Sequence, residues 1–217
     1  MIAPSLSPRS HTPKGARARE KILAVAERLF AEHGFHGASM RDVATEAAIP
    51  LANVVYHFTK KEKLYGAVLA EIGEGLVRDF DDALAERRDP PARLDAVVRA
   101  LVAWSRKEPR QVKLLVRELL DNPARVAKAT KLPLAPVLVR LAELIEEGIR
   151  VGVFQEVVPE AAALHLVGAL SYFVAARPTL RRIVGAAREA KIEARYEREA
   201  ISFARSMLVA GARRSEG

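Results

Sequence analysis

The chain contains no cysteine. That excludes a disulfide framework and any thiolate metal site. Aromatic residues are scarce, at 6%, although half of the 217 residues are hydrophobic. The apolar content rests mainly on Ala, Leu and Val, and the first two are strong helix formers. The balance predicts an all-α protein with a real core. No apolar run reaches the roughly 20 residues that cross a bilayer. The longest, 161–176, is interrupted by His165, Gly168 and Ser171 and reads as a buried helix. Met1 to Gly15 holds Pro4, Pro8 and Pro13 where a signal peptide has an apolar core. These absences predict a cytoplasmic protein without membrane contact. Signatures of catalysis are missing too. There is no glycine-rich phosphate loop after a strand and no His-Glu-x-x-His pattern. The five histidines are scattered, and no serine has a base at a suggestive spacing. The expectation is a protein that is not an enzyme and needs no cofactor or metal.

What is present is positive charge. Lys and Arg number 35 against 27 Asp and Glu, a net +8. Such a chain is attracted to polyanions. Many basic proteins bind no nucleic acid, so the pattern along the chain has to decide.

That pattern divides the chain in three. Residues 1–15 read as a disordered basic arm, 16–62 as a helix-turn-helix head, and 63–217 as a helical body for effector binding and dimerisation. In the head, Ile22, Val25, Ala26, Leu29 and Phe30 follow helical spacing over about 16–33, and Gly34 supplies a stop. Ser39 suits an N-cap, with Asp42 three residues on as its capping-box partner. A second helix then covers about 40–47, a turn falls at Ala48 and Ile49, and Pro50 stands in the first turn of a third helix. A fourth, long helix carries Leu64, Val68, Ile72, Leu76, Phe80 and Leu84 at four-residue spacing. Further helices are expected over about 92–107, 110–120, 134–151, 159–177 and 187–209, with 122–133 a loop or short helix.

The stretch 40–58 carries the strongest signal. Val43, Ala47, Ile49 and Val54 fall where two crossing helices bury side chains, and Ala44 is small where they approach. The helix after the turn can lie in a major groove with its N-terminal residues against base edges. Those residues are Pro50, Leu51, Ala52 and Asn53. Asn53 can pair bidentately with adenine, and Leu51 and Ala52 can touch a thymine methyl. Tyr56 and His57 reach toward phosphates, Lys60, Lys61 and Lys63 add charge at the next helix start, and Arg41 can reach the other strand. The same residues also fit blander readings: a helix pair within an ordinary bundle, a solvated Asn53, a half-buried His57.

The run from Ala26 to Phe35, AERLFAEHGF, resembles the first-helix signature of TetR-family regulators. Ser39 to Ala44, SMRDVA, is similar to their second helix. Tyr56-His57-Phe58, Lys61-Glu62 and Leu64-Tyr65 are similar to the end of their recognition helix and the start of the fourth. The likeness is ordered and ungapped over about 18–70. The run 51–58 with Glu62 to Tyr65 resembles, to a lesser degree, a CecR-like subgroup. The resemblance implies a homodimer on a palindromic double-stranded DNA operator, with a body that dimerises and binds a small effector. It implies DNA contacts at Arg41, Asn53, Tyr56, His57 and Lys61. Departures are Ala48 for a usual glycine, Pro50 for a capping Ser or Thr, Leu51 for a frequent Lys, and Val55 for an aromatic. Arg9, Lys14, Arg17 and Arg19 read as an arm that can enter a minor groove, or as ordinary solubility charges.

In the body, pockets between helices are mostly apolar. Trp104, His165, Tyr172 and Phe173 are the candidates to line one, with Phe154 beside them, although each of these reads first as plain core; Arg117 and Glu118 could contact a polar effector but read first as surface residues. The last two helices, with Leu166, Leu170, Phe173, Ile201, Phe203 and Leu208, are expected to form the dimer contact by the same resemblance. The leading function is a repressor released by a small molecule. Two alternatives stand beside it: a sequestering protein with a lapsed DNA head, and a basic protein of membrane surfaces.

Overall fold

A computed structural model of the chain describes residues 13–85, 89–121 and 135–209. Among them are nine α-helices and no strand, so the all-α expectation holds. They are α1 (Pro13–Gly37), α2 (Met40–Glu46), α3 (Leu51–His57), α4 (Lys61–Ala85), α5 (Pro90–Lys107), α6 (Pro109–Asp121), α7 (Ala135–Arg150), α8 (Pro159–Val184) and α9 (Ala186–Leu208). The chain forms two compact units that divide between Val68 and Leu69. The segment 122–133, expected as a loop or short helix, and Arg9 of the basic arm lie outside the described residues.

In the first unit, Ile22, Ala26, Leu29 and Phe30 of α1 are buried, as their spacing predicts. Gly34 ends the regular helix with φ 74°, a left-handed conformation that L side chains adopt only at a cost. Phe30, Phe35 and Tyr65 then form an aromatic cluster, with Phe30 edge-on to Tyr65 at 4.9 Å and Phe35 at 5.0 Å from the same ring. Helix α1 begins at Pro13, earlier than expected. Lys14, Arg17 and Arg19 therefore stand on a helix rather than on a free arm, and the Arg19 guanidinium lies 5.5 Å from the Phe58 ring centre.

The second unit is a helical body whose core is built from α4, α5, α7, α8 and α9. Helix α8 is its hub, touching α5, α6, α7 and α9. One correction concerns its length. Pro178 does not end it; the helix continues to Val184. Extended in this way, it is long and apolar enough to cross a membrane by length and composition alone. Ala162, Ala163, Leu166, Val167, Leu170 and Val174 are nevertheless buried in the body, as in a core helix. After α7, Phe154 turns back onto the end of α9, where the Gln155 N–H donates to the Leu208 carbonyl at 2.8 Å. Asp95 of α5 is clamped bidentately by Arg205 of α9, at 2.8 and 2.6 Å. That carboxylate holds the guanidinium above its usual pKa.

Candidate nucleic-acid interface and body cleft

The head builds its presenting surface from short helices fixed at their ends. The Ser39 hydroxyl accepts from the Asp42 N–H at 3.2 Å, and the Asp42 carboxylate accepts from the Ser39 N–H at 2.8 Å. This is the capping box expected from the sequence. Hydrogen bonding of the carboxylate by the Ser39 side chain, the larger effect, and by the Ser39 N–H holds the Asp42 carboxyl below its ordinary pKa. Val43, Ala44 and Ala47 are buried beneath α2, and Arg28 pairs with Glu46 to tie α1 to α2.

The turn that follows needs one residue in a left-handed conformation, and Ala48 supplies it with φ 49°. Pro50 sits one position ahead of α3, at the N-cap rather than inside the first turn. It offers no side-chain cap, but its carbonyl accepts from Asn53 at 2.8 Å and Val54 at 3.3 Å. Val54 is the inward anchor of α3, at 0% exposure.

The opposite face of α3 is open. Pro50, Leu51, Ala52, Asn53 and Tyr56 are exposed, Tyr56 by 68%, and His57 is half-buried. Arg41 at the start of α2 is exposed as well. Lys61 is half-buried, with its ammonium 4.5 Å from the Phe35 ring centre, a cation–π seat that fixes the stem at the start of α4. Of these eight residues six are exposed and two half-buried, all within one small unit.

Two hollows among the described residues of the body differ sharply in kind. One is a narrow apolar void of about 20 Å³ between Leu76, Trp104, Val137 and Leu170. Trp104 borders it and donates its indole N–H to Gln111 Oε1 at 3.1 Å. The other is a cleft of about 580 Å³ between α5, α6, α8 and α9. Phe173 and Tyr196 stack in its wall, with ring centres 3.5 Å apart. Burial pushes the Tyr196 phenol up to about 12. Of the five pocket candidates, Phe173 borders this cleft and Trp104 the small void. Arg117 is half-buried, while His165 and Tyr172 are exposed; these three border neither hollow.

Two readings need correction, and a third resolves to the plainer of its alternatives. Glu118 is not a surface residue but 2% exposed. Phe154 is plain core, because its ring occupies the space where a side chain at Gly148 would stand. Leu166, Leu170 and Leu208 face the body's own core, so they are not free for a second copy. The cleft residues that sequence reasoning missed, Lys113, Arg181, Arg182 and Tyr196, come from three separate helices. The cluster Arg177, Arg181, Arg182 was the available signal, masked by ending the helix at Pro178. Among the described residues no group of three or more His, Asp or Glu could hold a metal ion.

Comparison with known proteins covers both units. Residues 22–68 match the family model for bacterial regulatory proteins of the tetR family, and residues 90–203 match a tetracyclin repressor-like C-terminal domain. The HTH-type transcriptional regulator RutR of Escherichia coli is 25% identical over 179 residues, 81% of this chain and 84% of that protein. The HTH-type transcriptional repressor NicS of Pseudomonas putida is 29% identical over 163 residues, 72% of this chain and 75% of that protein. A crystal structure of a bacterial regulatory protein in the tetR family from Rhodococcus RHA1 superposes with a TM-score of 0.68 at 23% identity, covering 85% of this chain and 95% of that one.

Proposed function

This chain belongs to the TetR family of bacterial regulatory proteins, and from that premise we propose that it is a homodimeric repressor released from a palindromic operator by a small molecule. DNA-binding regulation is the family's common activity. The observation that carries the finer reading is the split character of α3. Val54 is sealed inward while Asn53 and Tyr56 face out, which suits a helix that enters a major groove. In this reading Asn53 reads adenine, Leu51 and Ala52 touch a thymine methyl, and Pro50 shapes the entry. Arg41, Tyr56, His57 and Lys61 set the register on phosphates. A basic protein of this kind works where the DNA is, in the cytoplasm.

The dimer forms through the outer faces of α8 and α9. Leu164, Gly168 and Tyr172 lie one turn apart on α8, and all three are exposed. An apolar groove of about 260 Å³ lies between the two helices, bordered by Ala169 of α8 and Phe203 of α9. The effector binds in the body and favours a conformation with lower operator affinity, because a ligand shifts only an equilibrium whose states it distinguishes.

The test is binding to DNA from just upstream of the protein's own gene, against a scrambled fragment of equal length at fixed salt. Preference for the native fragment is expected. A folded Asn53→Ala and Tyr56→Ala double variant should lose that preference. Equal binding to both fragments, with no sequence enriched from a randomised pool, would overturn the reading in favour of a sequestering protein.

A further inference from the structure

The 580 Å³ cleft has the size of a drug-sized ligand site, but its charge is unusual for one. Five cationic side chains border it, Arg106, Lys113, Arg177, Arg181 and Arg182, against the two carboxylates Glu189 and Glu193. These charges are not equivalent. Arg177 is committed to Glu189 and Glu193. Arg106 donates to the Glu193 carbonyl at 2.6 Å and stands 3.5 Å from Glu197. These pairs fix one wall and consume both acids. Lys113, Arg181 and Arg182 have no ion pair or hydrogen bond to a side chain among the described residues.

Cations in the last turn of α8 are partly accounted for by the helix dipole. That does not account for Lys113, which α6 brings to the same cleft. The remaining wall is apolar: the stacked Phe173 and Tyr196 rings, Val174 and Pro178. Pro178 has no N–H, so the Val174 carbonyl lacks the donor an uninterrupted helix would give it. An apolar wall beneath three uncompensated cations is complementary to one chemistry.

We propose that this cleft binds an organic anion, a carboxylate or phosphate head on an apolar body. Lys113, Arg181 and Arg182 hold the head, and Phe173, Val174 and Tyr196 cover the body. Charge-assisted hydrogen bonds from guanidinium groups suit either head. A cationic ligand of the same shape meets repulsion, and a neutral one leaves the three cations without a counter-charge. The assignment rests on the effector reading above for its regulatory consequence, whereas the binding itself can be tested without it.

The experiment titrates the full-length protein calorimetrically with octanoate, octyl phosphate, octanol and octyltrimethylammonium. The expected result is one-to-one binding of at least one anion, about tenfold tighter than the alcohol or the ammonium. The ranking of octanoate against octyl phosphate identifies the head. Lys113→Gln, Arg181→Gln and Arg182→Gln combined should weaken anion binding about tenfold and leave octanol binding unchanged. All three side chains are exposed, so the variant should keep its helicity and melting temperature. Alcohol or ammonium binding as tight as the anion, no binding of either anion, or an unaffected triple variant would each overturn the proposal. Operator affinity is then measured with and without the saturating anion. If the anion binds through these residues and operator affinity stays constant, the site stands and the effector coupling fails. If the operator is preferred but no anion binds, the regulator stands and the cleft assignment fails.

Discussion

Ala48 carries φ 49°, the left-handed region that a Cβ disfavours. The family resemblance already marked it as a replacement for glycine, and the backbone shows the left-handed conformation that the alanine has to adopt. Ala48→Gly should relieve the strain by about 1 kcal/mol. For a unit of this size that raises the melting temperature by about 4–8 °C, which calorimetry on the whole protein resolves. An unchanged or lower transition would mean that Ala48 is unstrained. Gly148 is the opposite case, because nothing in its sequence neighbourhood announces its role. A Cβ there would stand within 2.0 Å of the Phe154 ring, which is itself buried. Gly148→Ala should therefore destabilise the body by about 1–3 kcal/mol, the usual cost of overpacking, measured by urea unfolding. Phe154 could be placed in the core from the sequence but not against Gly148, because a contact between a helix glycine and a later loop has no sequence periodicity.

Helix ends were legible where a local rule decides them. The Gly34 stop and the Ser39 and Asp42 capping box depend on neighbours within three or four residues, and both stand as expected. Pro178 shows where such rules lose. A proline inside a helix costs about 3 kcal/mol, yet α8 continues six residues past it to Val184, with only Leu180 and Val184 half-buried in that stretch. The capping box also has a pH signature. Asp42 is held below its ordinary pKa, so the folded state favours the carboxylate. Its contribution is present above the ordinary carboxylate value and lost as the pH falls through the lowered one. The melting-temperature gap between wild type and Asp42→Asn should thus be open near neutrality and close in acid. A gap that is the same at both ends would remove Asp42's charge from the cap.

At the scale of the whole molecule, the sequence could name apolar helices but not which face of each meets a partner. Leu166, Leu170 and Leu208 have the same periodicity as the outward residues, and only folding of the body separates the two sets. Tyr172, 73% exposed, and Phe203, 49% exposed, remain on the outside. Neither supports the core, so changing both to glutamate should leave helicity and thermal stability of the body nearly intact. In a dimer they would place like charges in a desolvated apolar contact, which opposes association. The double variant Tyr172→Glu and Phe203→Glu is therefore expected to sediment as a monomer. A lone head then meets a single half-site, and the loss of bivalency should weaken palindrome binding by about a hundredfold or more. Binding to a single half-site should change little. A variant that still sediments as a dimer would move the contact away from these faces. A monomer with unchanged palindrome affinity would show that the two heads do not act together.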